Sequence, residues 1–436
     1  GLYRTRKQDH NVDSIGPALL RLREQYPQAG AREIVSLLFH EENMSVSRNL
    51  VTEYFSIYES ELVKQRRKNW LRRKMFWAAG INDLWAVDQH DKWKHKFGLA
   101  LHSGIDPFTG KIHWMKIWWT NSNPRLILSY YLDTIQELGF MPLVSQSDPG
   151  SENFGLANGH TLLRHLHDPS LQGTLQHRWM REKKNVKPEI GWSQMCRRFT
   201  PGFENILDVG VREGWYDPDV LIEAYIFNSP LPCCYTYDSY SLVFRWVFIL
   251  WLQNELDRYV DRLNNTAKWA DRNKILPHGV PNDICEHPAD YGVLDFKIKV
   301  DPNAINDVRG VFAPPENEVF GLVPPEFRDI IAQIYVEIGQ PPVTRATCWD
   351  VYRQLLGMFR GLDAAHRIPH DIDADWGYAL AMAGNAHANN IELTPNLQPL
   401  RNVEDVIGPG GAYYMGGVNN GNGLGTGTFY LLPWGF

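Results

Sequence analysis

The 436-residue sequence has no apolar run of the roughly 18 residues needed to cross a bilayer. Its best stretch, Val243 to Leu252, is short and carries Arg245, so no membrane partner is expected. No signal-peptide pattern is visible. Cysteine is sparse: five residues (Cys196, Cys233, Cys234, Cys285, Cys348), an odd number with no CxxC pair. That argues against a structural zinc module and suits a reducing, intracellular compartment. The chain lacks a GxxxxGK[ST] phosphate loop, an HExxH zinc helix and a GxSxG nucleophile elbow. It also lacks an overall positive charge, at −6 formal. Charge is uneven, however: residues 1–80 are basic, and acids gather after about residue 280. A local basic patch matters more to a phosphate backbone than the total.

A chain of this length, 44% hydrophobic and 22% charged, can build several domains with substantial cores. The stretch that organises it is Asn82 to Trp93, where the apolar run Leu84-Trp85-Ala86-Val87 ends on Asp88. A second run follows from Leu99 to Ile105, then the turn Asp106-Pro107-Phe108-Thr109-Gly110, then a third run from Ile112 to Trp119. These read as an antiparallel meander with Asp88 on a central strand. Asn123 caps a helix that has Pro124 at its first position and Gly139 as its stop. Residues 141–146 read as a further strand, ending at Ser147-Asp148-Pro149-Gly150.

Upstream, the first 60 residues read as helices. Ile15, Leu19, Leu20 and Leu22 recur at roughly helical spacing in a first helix, and Ile34, Leu37 and Leu38 lie on one face of a second. Ser47 caps a third helix with Leu50, Val51, Tyr54 and Phe55 inward. Two helices, a turn and a third helix suit a helix-turn-helix with Arg48, Asn49 and Thr52 facing DNA. A plain three-helix bundle is the alternative. The basic run containing Arg66, Arg67 and Lys68 follows, as a phosphate-contact candidate or a solvated linker. Downstream, a periodic helix is expected over 242–263, ended by Asn264 and Asn265, with shorter helices near 325–337 and 347–361.

Three carboxylates are candidates for one metal site: Asp88, Asp148 and Glu189. Hard oxygen ligands suit two Mg2+ or Mn2+ ions, which can activate a water or a 3′-hydroxyl and stabilise the leaving oxygen. Pro188 is expected to start a helix, with Glu189 in its first turn and Trp192, Met195 and Phe199 as an apolar stripe. A first-turn Glu that simply favours the helix dipole is the alternative. Glu182 and Glu204 rank below Glu189 for the third position. Lys183, Lys184 and Lys187 flank it, either as phosphate contacts or as a solvated face.

Asn82–Lys92, Ser147–Phe154 and Asn185–Arg198 resemble the three catalytic blocks of the integrase core shared by retroviral integrases and related transposases, most of all integrase-like proteins of transposon origin in fungi. The resemblance covers residues 15–300. It implies an α/β, ribonuclease-H-like fold with a mixed five-stranded sheet flanked by helices, and it assigns Asp88, Asp148 and Glu189 as the catalytic, metal-binding triad. It departs from the family in a longer gap between the second and third acids, which implies an insertion near His167–Gly173. Pro188 replaces the usual polar residue, and the N-terminal zinc module is missing.

The expected organisation is a helix-turn-helix domain (1–62), a basic linker (63–79) and the catalytic core (80–230). A core-associated helical segment (231–300), a C-terminal helical region (301–407) and a Gly-rich tail (408–436) follow. The expected activity is two-metal DNA cleavage and strand transfer. The resemblance further implies double-stranded DNA as partner (element ends and target), a homo-oligomer on that DNA, and a nuclear location. The rivals are a DNA-binding protein that has lost catalysis and a structure-specific nuclease that does not join strands.

Overall fold

Leu84, Trp85, Ala86 and Val87 are all buried, the pattern of a strand covered on both faces. The computed structural model describes residues 9–27, 29–61, 75–180, 185–218, 235–268, 276–364, 391–400 and 412–414. The central sheet consists of β1 (Leu84–His90), β2 (Ala100–Ile105), β3 (Ile112–Trp118), β4 (Val144–Ser147) and β5 (His177–Trp179). Its spatial order is β3-β2-β1-β4-β5. β1, β2 and β3 pair antiparallel, as the meander predicts, whereas β4 and β5 run parallel to β1. The fold is thus α/β, with a mixed five-stranded sheet flanked by helices.

α1 (Val12–Gln25), α2 (Ala31–His40) and α3 (Arg48–Tyr58) enclose their own apolar cluster around Ile15, Leu19, Ile34, Leu37 and Val51. Ser47 caps α3 by accepting a hydrogen bond from Leu50 N. Leu20 is 64% exposed. It lies about 100° around the helix from Leu19 and so leaves the core-facing side. α2 docks on the rest of the chain through buried Glu33, which pairs with Arg198 at 2.8 Å and Arg262 at 3.2 Å.

α4 (Pro124–Leu138) has the expected ends. Asn123 accepts from Arg125 N at 2.9 Å, and Gly139 takes the left-handed φ of +73° that closes the helix. α5 (Phe154–His167) packs closely on it. A Cβ on Gly155 would stand 2.3 Å from the carbonyl oxygen of Pro124. The strand expected over 141–146 is divided. Phe140–Met141 pairs instead with Ile298–Lys299, and β4 begins only at Val144, after Pro142, which has no N–H for a ladder.

α6 (Val186–Arg198) begins two residues before the expected start at Pro188. Pro188 is tolerated there because the first-turn N–H groups have no intrahelical partner in any case. Trp192, Met195 and Phe199 are buried as expected, and α7 (Thr200–Arg212) follows. The helix expected over 242–263 starts earlier, at Tyr235. It passes through a π turn at Arg245–Ile249 into α8 (Leu250–Asn264).

α8 covers the exposed edge of β3. Asn264 accepts from Ile112 N at 2.9 Å and donates to Ile112 O at 2.8 Å. Gln253 accepts from Ile117 N and donates to Met115 O. Side-chain amides thus occupy the ladder positions that a sixth strand would take, which blunts an edge otherwise open to pairing. Helices Pro325–Glu337 and Cys348–Ala364 match the expected ones. Within the expected linker, Met75–Trp77 forms a strand parallel to Ala412–Tyr414, so the tail contributes one strand where none was expected. No described helix is long and apolar enough to cross a membrane.

Candidate functional site

β1, β3, β4 and β5 all run toward one end of the sheet, where their carboxyl ends make a polar rim. Ligands of open α/β sheets characteristically gather at such an end. Asp88 lies near the end of β1, and Asp148 directly follows β4. The parallel register pairs Leu84 with Val144, Trp85 with Ser145 and Ala86 with Gln146. Continued along both chains, it sets Asp88 beside Asp148 on neighbouring strands, about 5 Å apart in the backbone.

The two acids have different surroundings. Burial pushes the Asp88 carboxyl up to about 7, the charge of Asp148 adds to this, and Glu189 adds less. The Gln89 backbone N–H and the Trp192 indole pull it partly back. Asp148 is also raised, by burial. Its Oδ1 is buried and accepts no hydrogen bond among the described residues. Its backbone carbonyl is held by Ser147 Oγ at 2.9 Å and Asn153 Nδ2 at 3.2 Å.

Glu189 sits in the first turn of α6 and is exposed. Two side chains anchor its helix over the acids. Asn185, fully buried, donates to Val87 O at 2.9 Å and accepts from Gln146 Nε2 at 3.3 Å, joining β1 to β4 just before their acids. Trp192, three residues beyond Glu189 and so on the same helix face, donates to Asp88 Oδ2 at 3.1 Å. His90 stacks on the Trp192 ring with centroids 5.2 Å apart. Asp88 and Asp148 therefore stand on neighbouring strands, and the charge of Glu189, from the exposed first turn of α6, reaches Asp88. Among the described residues, no three His, Cys, Asp or Glu side chains close on one point at metal-ligand spacing.

Of the remaining candidates, Arg48, Asn49 and Thr52 are exposed along α3, and the Thr52 hydroxyl donates to Arg48 O on its own helix. Lys187 lies half-buried in the first turn of α6. Arg66, Arg67, Lys68, Lys183, Lys184 and Glu182 lie outside the described residues. Glu204 belongs to α7 and pairs with Lys92 and Lys96 at 3.6 and 3.7 Å, so it is committed elsewhere.

Several contributors escaped the sequence reading. Trp192 reads as core alone, and Asn185 as a block residue without a role. Glu152 is a further acid at the rim, raised by burial and bonded by Gln89 at 3.3 Å and Asn153 at 3.0 Å. His177 on β5 stands 2.8 Å from Ser145 Oγ and 3.0 Å from Ser147 Oγ, and burial pushes it down to about 3, so it is neutral. The alternating Ser145 and Ser147 on one strand face were the available signal.

Compared with known proteins, the chain matches no family model and no curated protein.

Proposed function

We propose that this chain is a metal-dependent DNA integrase or transposase of transposon origin, built on a ribonuclease-H-like core. The observation that carries the reading is the pinning of the Glu189 helix, through Asn185 and Trp192, over adjacent Asp88 and Asp148. These acids lie at the carboxyl end of a sheet ordered β3-β2-β1-β4-β5. The order of the three sequence blocks supports the same reading.

The donor set fits Mg2+ or Mn2+. It consists of hard carboxylate oxygens, one of them an unsatisfied buried oxygen on Asp148, beside a carboxyl whose pKa is raised by burial and, next, by a like charge. Two such ions would be held by Asp88, Asp148 and Glu189, and when bound they supply Lewis acidity at the reacting phosphate. The protein's own share is positional. Trp192 fixes one Asp88 oxygen, Asn185 fixes the helix over the strands, and Ser147 with Asn153 fixes the Asp148 backbone. In-line displacement by water gives a nick, and displacement by a 3′-hydroxyl gives joining at the same acids. α1–α3 act as a helix-turn-helix holding the element's end through Arg48, Asn49 and Thr52, with the basic segment at Arg66, Arg67 and Lys68 on phosphates. A homo-oligomer on two DNA ends and a nuclear location complete the reading.

The exposure of Glu189 favours one rival, a DNA-binding protein that retains the fold without catalysis. The test is strand cleavage and joining on a branched DNA in Mn2+, with wild type beside Asp148→Asn. Nicked and joined products that vanish in the variant are expected. DNA binding without products would move the reading to the rival, and nicking without joining to a nuclease.

A further inference from the structure

Asp88, Asp91, Asp148, Glu152 and Glu189 gather near the carboxyl end of the sheet, so a DNA strand arriving there meets a cluster of acids. Beside them stands the six-residue helix Lys92–Phe97. Its three lysines differ. Lys92 pairs with Glu204, and Lys96 pairs with Glu204 and, at 2.8 Å, with Asp208. Lys94 makes no ion pair among the described residues. Its Nζ donates to Asn121 Oδ1 at 3.1 Å and to Ser122 Oγ at 2.8 Å, both neutral.

This is a fixed cation rather than a trailing one. Asn121 is 1% exposed, donates to Asp91 Oδ1 at 2.7 Å and to Leu101 O at 3.3 Å, and so anchors the lysine to the sheet. An ammonium has three N–H donors, and two are used. Ser122 Oγ accepts from Lys94, which leaves its own hydrogen free to donate. The charge of Lys94 acts on Glu152, which in turn senses Asp148. Through Asn121, which bonds both Lys94 and Asp91, the lysine is joined to the same rim as the acids.

We propose that Lys94 and Ser122 form a subsite for one DNA backbone phosphate flanking the phosphate that is cut. The inference rests on the DNA-processing reading and deepens it. The chemistry is that of a phosphodiester: one positive charge and two donors 2.8 Å apart, the lysine held by neutral side chains so that its charge is available to the strand. The lysine holds the strand and touches no reacting atom.

The test uses the full chain and a branched DNA duplex in Ca2+, with affinity measured across a salt series. Lys94→Gln is expected to weaken binding about 5- to 20-fold and to lower the slope of log affinity against log salt by about 1. Lys94→Arg is expected to restore most of both. In Mn2+, Lys94→Gln is expected to raise KM for DNA far more than it lowers kcat, with the Mn2+-induced rise in melting temperature unchanged. An unaltered slope and affinity in Lys94→Gln, with wild type binding and cutting normally, overturns the subsite alone. A lower melting temperature with no rescue by arginine overturns it in favour of a purely structural lysine. If wild type neither binds nor cuts DNA, the underlying reading falls with it.

Discussion

The indole Nε1 of Trp192 donates a 3.1 Å hydrogen bond to Oδ2 of Asp88. This bond runs from the helix that bears Glu189 to the central strand of the sheet. Such a hydrogen bond contributes about 0.5–1.5 kcal/mol to a neutral acceptor and about 1.5–3 kcal/mol once the acid is ionised, and here it also holds one oxygen of the carboxyl group in place.

Trp192→Phe keeps most of the buried ring and removes the donor. The variant is expected to fold, to lose about 1–2 kcal/mol in urea unfolding, and to cleave DNA at least tenfold more slowly. Normal cleavage by a folded Trp192→Phe would show that the bond does not orient the acid.

Asp88 gives the metal-free protein a definite pH dependence. Its folded-state carboxyl is raised to about 7, above the ordinary value of 3.8, so the folded chain holds the proton more tightly. The resulting stabilisation is complete below the unfolded value and is lost as pH rises toward 7, up to roughly 3–4 kcal/mol. Melting temperature without metal is therefore expected to fall between pH 4 and 7, and this slope is expected to flatten in Asp88→Asn. Mg2+ competes with that proton, so it is expected to stabilise wild type more at pH 8 than at pH 5. Equal Mg2+ stabilisation at both values would argue against Asp88 as a ligand.

Gly155 is the point where α5 approaches α4. A Cβ there would meet the Pro124 carbonyl oxygen at 2.3 Å, and backbone is what must shift. Gly155→Ala is expected to cost about 1–3 kcal/mol and to disturb Asn153, which holds the Asp148 carbonyl. Thermal unfolding and cleavage rate measured together check it; an unchanged melting temperature would mean the helices can part without cost.

Locally determined features were legible in the sequence. Asn123-Pro124 and Gly139 mark both ends of α4 because capping needs only neighbouring residues. The alternating and continuous apolar runs give the three meander strands for a similar reason. Features that depend on distant partners were not legible. Trp192 in an apolar stripe reads as core, and its N–H acceptor lies 104 residues away. Asn264 reads as a helix stop, although its amide holds β3 across 152 residues. β5 is three residues long, His-Arg-Trp, too short for any periodicity. Of the site, the two aspartates and the Glu189 helix could be named from sequence, whereas the side chains that orient them could not.

The buried carboxylate of Glu33 holds arginines from two other helices, Arg198 at the end of α6 and Arg262 in α8. Severing such a pair strands a buried charge, at about 3–5 kcal/mol, so the joint is stiff. The N-terminal helices and the helix of Glu189 then move together. Under the proposed function such a protein would be a gauge: the distance from bases met by α3 to a bond cut at Asp88 would be set by the depth of one buried joint, and not by the length of chain between them.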